Sequence, residues 1–307
     1  MLMLDPPEHT RLQQLLTATF TVRRSQALGP RIQEIVDEHL DAMEAAGPPL
    51  DPVSAFALPV PSLVSCELLG VPSADRAEFG ARSNRFFDTT MSPQERLRLD
   101  AEADAYMHTL AARHREKPGD DLLSLLIREH GTGALSDEEL VGLADRLLIT
   151  GRQTTANVIS LGTLALLRHP DQLALVRDDP STVEDAVEEV WRFTSVLPAD
   201  FVRVAVQDTT IGGHLVRRGE HVVTSLPAAN LGATLARLGL QLAPPAWLQR
   251  SPGVRLADPV ARPAFKHRAL TYSLRSLPIS LVTILKGTTV DHRRTVQRRA
   301  TGRGRLS

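Results

Sequence analysis

The part of the sequence that most constrains the fold is a proline-free helical pattern that runs from Ser136 to His169. Ser136 and Glu139 have the spacing of a capping box, a hydroxyl followed three residues later by an acid, so a helix is predicted to begin near Asp137. Apolar residues lie around most of its circumference, as expected for a buried helix. About thirty residues at a rise of 1.5 Å give a helix roughly 45 Å long, enough to cross a whole domain.

The centre of this helix is its weak point. Gly151, Thr154 and Thr155 are poor helix formers, and a threonine hydroxyl can bond back to the carbonyl one turn earlier and bend the helix. Two interpretations remain open on this stretch alone. The centre is either an ordinary packing kink in a buried helix or a place where something small and polar is bound.

The remaining pattern predicts a mainly α-helical fold with a small antiparallel β-sheet. Helical spacing of apolar residues recurs before and after the central helix, whereas from Phe201 the period changes to two. Turn signals at Gly212-Gly213 and Arg218-Gly219 separate the short strands of this sheet. Helical spacing returns after Leu231 and is predicted to end at Pro244-Pro245.

The composition argues against several classes of protein. The chain has 307 residues and a formal net charge of −1, so it has no general attraction to nucleic acid or to a membrane surface. No apolar run reaches the ~18 residues that span a membrane, and the N-terminal residues lack the basic and apolar segments of a signal peptide. A single cysteine excludes an internal disulfide, and a cytoplasmic location is expected.

Single residues and short motifs add little on their own. Cys66 lies among leucines and valines and is predicted to be a buried, unreactive thiol, because nothing electropositive nearby in the sequence lowers its pKa. Six arginines without an acid follow Asp291, and this segment is predicted to be disordered. The sequence has no phosphate-binding glycine loop, HExxH, CxxC pair or GxSxG elbow.

Four segments, taken in order, resemble the cytochrome P-450 superfamily, specifically its bacterial soluble members. The first two look like the helix that reaches a haem propionate, Asp5-Pro6-Pro7-Glu8-His9-Thr10-Arg11-Leu12, and the oxygen-activating motif, Thr150-Gly151-Arg152-Gln153-Thr154-Thr155. The third looks like the ExxR motif, Glu189-Val190-Trp191-Arg192. The fourth looks like the strand whose arginine meets the other propionate, Phe201-Val202-Arg203-Val204-Ala205. A lone ExxR is weak evidence, whereas four motifs in order with family-like spacing are specific.

The resemblance implies a haem cofactor and monooxygenation of a small hydrophobic substrate, with electrons from NAD(P)H through a ferredoxin or flavoprotein partner. It implies that His9 and Arg203 bind the haem propionates through charge-assisted hydrogen bonds. Gly151 would let the haem plane approach the central helix. Thr154 would be the catalytic threonine that delivers a proton to dioxygen.

The ExxR motif has two interpretations. Glu189 and Arg192 are three residues apart, so they share a helix face and can pair, which by itself describes an ordinary exposed ion pair. The resemblance implies instead that they form a buried structural network. The helix that carries them is predicted to begin at a second capping box, formed by Ser181 and Glu184.

The sequence also departs from the family pattern. Gln153 stands at the catalytic position where the family has an acid, and an amide has no titratable proton to relay near neutral pH. Leu231 begins a segment that looks like the helix after the family's haem-ligand loop, but Asn230 directly precedes it, so the loop and its cysteine thiolate are absent. Cys66 matches a packing position in a different helix, and no residue is assigned as a metal ligand.

These observations predict a cytochrome P-450-like domain over residues 1–287, without the family's N-terminal helices or haem-ligand loop, and a basic tail over 288–307. The predicted function is a family member that does not turn over, because thiolate ligation is not available. The alternatives are a non-catalytic binding or interaction protein, a decaying gene remnant, or a misread coding sequence whose intact form retains the loop.

Overall fold

The computed structural model describes residues 4–19, 21–48, 50–86, 88–130, 133, 135–196, 202–223, 233–260, 262–267, 271–281, 284–285 and 288–289. The predicted mainly α-helical fold with small antiparallel sheets is confirmed. The predicted deletion point, Asn230–Leu231, lies outside the described residues, as does the tail from residue 290 onward. The hairpin of residues 284–285 with 288–289 crosses the proposed domain boundary.

The described residues form eleven α-helices: α1 (Glu8–Thr19), α2 (Val22–Ala27), α3 (Gly29–Ala46), α4 (Pro59–Leu69), α5 (Arg76–Phe86), α6 (Pro93–Glu116), α7 (Leu122–His130), α8 (Asp137–Arg168), α9 (Pro170–Asp178), α10 (Val183–Thr194) and α11 (Ala233–Arg250). Single-turn π- or 3₁₀-helices lie between some of them: Val53–Ala57, Ser73–Asp75 and Pro180–Thr182. According to the hydropathy of the described helices, none is long and apolar enough to cross a membrane.

Short strands make up the rest of the regular structure: β1 (Arg203–Val204), β2 (Thr209–Ile211), β3 (His214–Val216), β4 (His221–Val222), β5 (Val254–Leu256), β6 (Ala264–Phe265), β7 (Leu274–Ser276), β8 (Ile279–Leu281), β9 (Ile284–Leu285) and β10 (Thr288–Thr289). They pair antiparallel, two by two: β1 with β4, β2 with β3, β5 with β8, β6 with β7, and β9 with β10. In the β2–β3 turn, Gly212 and Gly213 have φ of 56° and 82°, which glycine adopts without steric cost.

The central helix α8 forms as predicted. It begins at Asp137, where the Ser136 side chain accepts the Glu139 N–H at 3.1 Å and Glu139 Oε2 accepts the Ser136 N–H at 2.9 Å. It ends at Arg168, immediately before His169. The reciprocal bonds satisfy two of the backbone donors that a helix N-terminus leaves open.

Two hydrophobic clusters lie along α8. The residues from Leu140 to Leu148 pack against α1, α4, α6 and α7, and those from Val158 to Leu164 pack against α3, α10 and α11. The middle turns between them bury polar side chains instead: Arg152, Gln153, Thr154, Thr155 and Asn157. The centre of α8 is therefore a polar interval between two apolar cores.

The predicted end of the last helix at Pro244-Pro245 is wrong. Both prolines lie inside α11, which continues to Arg250. A proline in a helix interior removes a hydrogen bond and costs about 3 kcal/mol. The turn beyond the prolines buries Trp247 and Leu248, at 2% and 1% exposure, and this burial offsets the cost.

The predicted capping box at Ser181 and Glu184 is also wrong. The N-cap of α10 is Thr182, and its side chain makes no cap hydrogen bond. A 3₁₀ turn precedes the helix, and Asp179 Oδ1 accepts the Ser181 N–H at 2.9 Å and its hydroxyl at 2.7 Å. The serine therefore bonds backward to an aspartate, so it does not cap the helix that follows.

A buried polar cluster, which we call the Gly70 cluster, consists of Gly70, His114, Asp121 and Ser124. Ser124 Oγ donates to Asp121 Oδ2 at 2.8 Å and lies 2.9 Å from His114 Nδ1. His114 Nε2 lies 3.2 Å from the Gly70 carbonyl oxygen. These contacts join the ends of α4 and α6 to the start of α7, and they leave both ring nitrogens of the histidine engaged.

Candidate functional site

Gly151 is an exposed position in the middle of α8. Ile149 and Arg152 on either side of it are buried. A Cβ atom built on Gly151 meets only Ser65 Oγ of α4, at an ordinary contact distance of 3.7 Å. A small side chain would therefore fit here, and the glycine is not required by contacts among the described residues.

The two threonines beside Gly151 are buried at 8% exposure. Thr155 Oγ1 donates to the Gly151 carbonyl at 2.7 Å, which is the backward bond expected of a threonine at this place. The backbone nevertheless stays α-helical through the whole segment. Thr154 therefore keeps a regular helical position, one turn after Gly151.

Gln153 is held by a buried chain of amides and hydroxyls. Gln153 Nε2 donates to Asn157 Oδ1 at 3.1 Å, and Asn157 Nδ2 donates to Thr271 Oγ1 at 2.9 Å. The three residues are 3% exposed. The chain connects the centre of α8 to the segment before β7, so Gln153 contributes a structural link that sequence reasoning did not predict.

Arg152 is the second feature that sequence reasoning missed. It is only 1% exposed, and its Nη1 donates to the Gly80 carbonyl on α5 at 2.9 Å. Burial lowers the pKa of its guanidinium to about 10. The available signal was a charged residue within a helix whose apolar pattern predicts burial on nearly all sides.

The two predicted propionate ligands lie on segments that the structure joins. Arg203 Nη1 donates to Asp5 Oδ1 at 2.8 Å, and the His9 N–H donates to the Asp5 carbonyl at 3.1 Å. His9 is half-buried. Arg203 thus already binds one carboxylate, the chemistry that a propionate would need. Arg11 of α1 also forms an ion pair with Glu139 at the start of α8.

Glu189 and Arg192 pair, but the implied burial of this pair is wrong. Their side chains are 60% and 68% exposed, and the guanidinium donates to both carboxylate oxygens, at 2.6 and 2.7 Å. The hydrogen bonds lower the pKa of Glu189. In α10 the buried residues are Val187, Trp191 and Thr194, so the motif lies on the other side of the helix.

Cys66 is buried in α4 with no exposed surface, as predicted. The sequence suggests that nothing electropositive lies near Cys66, but in the folded chain Arg76 and Arg152 are close enough for their charges to lower the pKa of the thiol. Burial has the larger effect and raises that pKa to about 11. Near neutral pH the sulfur is therefore a thiol, and a metal ligand needs the thiolate.

A cavity of about 280 Å³ lies between α5, α6 and α8, and we call it the α5–α6–α8 cavity. Its charged lining residues are Arg82, Asp100, Asp104, Asp145 and Arg146. Asp145 Oδ1 and Arg82 Nη2 are buried, and neither has a hydrogen-bond partner among the described residues. Sequence reasoning missed this site, although the adjacent charges at 145 and 146 interrupt the apolar pattern of α8.

Asp145 makes the stability of the chain depend on pH. Burial raises its pKa, so the stability from this group is fully present below the ordinary aspartate value and is lost as the pH rises through the raised value. We expect Asp145→Asn to raise the free energy of unfolding at about pH 7 by roughly 1 kcal/mol and to change it little at about pH 3. Urea unfolding of the parent chain and the variant at these two pH values measures the change in the free energy of unfolding. The matched control is Asp100→Asn, on the exposed rim of the same cavity, and an equal gain in both variants would contradict the assignment.

The family model described as Cytochrome P450 matches residues 82–232. Cytochrome P450 FAS1 of Rhodococcoides fascians is 41% identical over 285 residues, which cover 83% of this chain and 71% of that protein. Pentalenic acid synthase of Streptomyces avermitilis is 41% identical over 310 residues, covering 90% and 76%.

The chain is also similar in fold to solved protein structures. The crystal structure of CYP105P1 in complex with filipin I has a TM-score of 0.84 and 39% identity, covering 91% of this chain and 79% of that chain. The complex of the X-domain and OxyB from teicoplanin biosynthesis has a TM-score of 0.82 and 38% identity, covering 90% and 82%. The chain belongs to the cytochrome P450 family.

The cofactor of this family is haem, which supplies an oxygen-activating iron when it is bound. Arg203 has the chemistry to hold a carboxylate of such a group, since it already donates to the Asp5 carboxylate. The chain does not offer the thiolate that would hold the iron of this group in the family. The sequence has one cysteine, and Cys66 is a buried thiol inside a hydrophobic cluster.

Proposed function

We propose that this chain is a cytochrome P450 relative that keeps the distal wall of a haem pocket but does not carry out monooxygenation. The observation that carries the proposal is the state of Cys66. It has no exposed surface, and its pKa is raised to about 11. The chain would therefore not supply the thiolate whose electron donation favours cleavage of the dioxygen bond when haem is bound.

The candidate site residues take the following roles in this proposal. Gly151 lets a flat cofactor approach α8, and His9 and Arg203 bind its carboxylates. Thr154 is the group that would hold a proton on the distal side. Gln153 cannot supply a titratable proton, and its hydrogen bond to Asn157 is consistent with a positioning role.

The experiment is a haem titration of the purified chain, followed by reduction and addition of carbon monoxide. We expect no thiolate-type Soret band, because the one sulfur in a cysteine side chain is buried and protonated. The control is Cys66→Ser, which should give the same spectrum as the parent chain. A thiolate-type band in the parent that disappears in this variant would refute the proposal.

The partners and the location are part of the same proposal. The intact enzyme would take a small hydrophobic substrate and receive electrons from a ferredoxin or flavoprotein in the cytoplasm. Residues 1–287 would form the P450-like domain, and residues 288–307 would form a basic tail. No described helix could cross a membrane, and the net charge of −1 gives no reason to propose nucleic acid.

A second candidate is a non-catalytic protein that binds a small molecule. The α5–α6–α8 cavity favours it, since a cavity of about 280 Å³ with two unpaired buried polar atoms remains among the described residues. Convergent polar groups beside apolar side chains, here Phe79, Phe86 and Ile149, are typical of ligand sites. Soluble expression with cooperative unfolding would support this candidate, whereas aggregation would favour a decaying remnant.

A further inference from the structure

We infer that Lys266 is a nucleophilic lysine, whose amine forms an imine with an aldehyde that carries an anionic group. The site is the hairpin of β6 and β7, where it meets the centre of α8. This activity is separate from both candidate functions above, and it requires neither haem nor the α5–α6–α8 cavity. Its basis is a cluster of cations, the lack of a counter-charge and the way in which the hairpin is held.

The position of Lys266 is fixed by the hairpin. It directly follows β6, and its N–H donates to the Ser273 carbonyl at 2.9 Å, which extends the ladder between β6 and β7 by one pair. Ser273 and Thr271 are 2% and 3% exposed, and Thr271 Oγ1 accepts a hydrogen bond from Asn157 of α8. The hairpin is therefore held against the centre of α8, with Lys266 half-buried beside it.

Two arginines lie close to the Lys266 side chain. Burial has the largest effect on its ammonium group and lowers the pKa, and the charges of Arg152 on α8 and Arg275 on β7 lower that pKa further. A lower pKa leaves a larger fraction of the amine unprotonated near neutral pH. The three cations thus form a cluster in which the lysine is the member that can give up its charge, since arginine stays protonated.

The register of the hairpin leaves Arg275 available to a ligand. The register shifts between Ala264 and Phe265, whose partners on β7 are Ser276 and Leu274. Arg275 lies between those two partners, so it is the extra residue of a bulge. Its side chain is exposed. Bulges of this kind re-aim a side chain, and they are frequent beside active sites.

No counter-charge balances the cluster. Residues 259–290 include five lysines and arginines and no aspartate or glutamate. In the described part of the chain, neither Lys266 nor Arg275 forms an ion pair with a carboxylate. Neighbouring cations without an acid favour the neutral amine and attract an anion. The cluster therefore suits a ligand that brings its own negative charge.

A neutral amine in such surroundings is a nucleophile towards carbonyl compounds, because lysines are activated by desolvation or by a neighbouring cation. The amine nitrogen bonds to the aldehyde carbon, and the carbonyl oxygen takes one of the two N–H protons. The resulting hydroxyl then leaves as water with the second proton, and the C=N bond forms. No oxidant or reductant is needed. An anionic group on the aldehyde is attracted by the two arginines.

The test is reductive labelling of the purified full chain with p-formylbenzoate and sodium cyanoborohydride at about pH 7. Cyanoborohydride reduces the imine to a stable amine, and peptide mass spectrometry then identifies the lysine that formed it. Lys117 is exposed at the end of α6 and serves as the internal reference. We expect Lys266 to be labelled at least about threefold faster than Lys117. Equal or slower labelling of Lys266 would overturn the inference.

The methyl ester of the same aldehyde, which is uncharged, tests the anionic group. The ratio of labelling at Lys266 to labelling at Lys117 removes the difference in intrinsic reactivity between the two aldehydes. We expect this ratio to be at least about threefold higher for p-formylbenzoate than for its ester, because the arginine charges attract the carboxylate. Equal ratios would overturn the assignment of the anionic group.

A pair of arginine variants tests the cluster. Arg275→Gln removes one of the charges that lower the pKa of Lys266, so its labelling should rise only at higher pH and should be at least about twofold slower at pH 7. The matched control is Arg262→Gln, because Arg262 is exposed on the same segment and is not among the charges that act on Lys266. Circular dichroism confirms that both variants are folded. Identical pH profiles of labelling in the two variants would overturn the role of the cluster.

Discussion

Gly70→Ala is expected to lower the free energy of unfolding by about 3 kcal/mol or more. Gly70 ends α4 with φ of 69°, a left-handed conformation that costs an L-residue about 1–2 kcal/mol. A Cβ atom there would lie 2.5 Å from His114 Cε1 and 2.6 Å from Asp121 Cγ. The Gly70 cluster would have to open, and buried polar groups left without partners cost about 1–3 kcal/mol each.

The matched control is Gly212→Ala. Gly212 lies in the β2–β3 turn with φ of 56°, and a Cβ atom there has no neighbour within 4 Å. It should therefore show only the conformational cost, about 1–2 kcal/mol. Urea unfolding of both variants gives the difference. If the two variants lost the same stability, the packing of His114 and Asp121 around Gly70 would not contribute.

Pro244→Ala is expected to raise the free energy of unfolding by about 2 kcal/mol. Proline in a helix interior is about 3 kcal/mol less favourable than alanine, and the greater freedom of the unfolded chain returns about 1 kcal/mol of that gain. The substitution restores a donor for the carbonyl one turn earlier in α11. Thermal unfolding followed by circular dichroism measures the shift.

The control for this variant is Pro93→Ala. Pro93 is the first residue of α6, where the Ser92 capping box already organises the helix N-terminus and a missing N–H has no cost. This variant should lose up to about 1 kcal/mol, because the unfolded chain gains freedom and the helix start gains nothing. A rise of similar size in both variants would contradict the assignment of the gain to the interior of α11.

Helix positions with local signals could be predicted from the sequence. The start of α8 depends on Ser136 and Glu139, two residues that interact within one turn. The apolar spacing on both sides of Gly151 then determines the length of the helix and its burial. The alternation after Phe201 similarly predicted the antiparallel strands β1 to β4.

Features that depend on distant residues could not be predicted. Pro244 stops a helix by its local propensity, but burial of Trp247 one turn later overrides that preference. The exposure of Glu189 and Arg192 depends on which face of α10 packs, and their spacing alone does not determine it. Gln153 meets Thr271 only through the folded chain, by way of Asn157.

The polar interval in α8 has a consequence for how the molecule opens. The cluster around Leu140 to Leu148 and the cluster around Val158 to Leu164 have no member in common. Cooperative unfolding units in proteins coincide with such packed groups. We expect hydrogen exchange to separate the two groups into units of different opening free energy, with the boundary at the turns that carry Gly151 and Thr154.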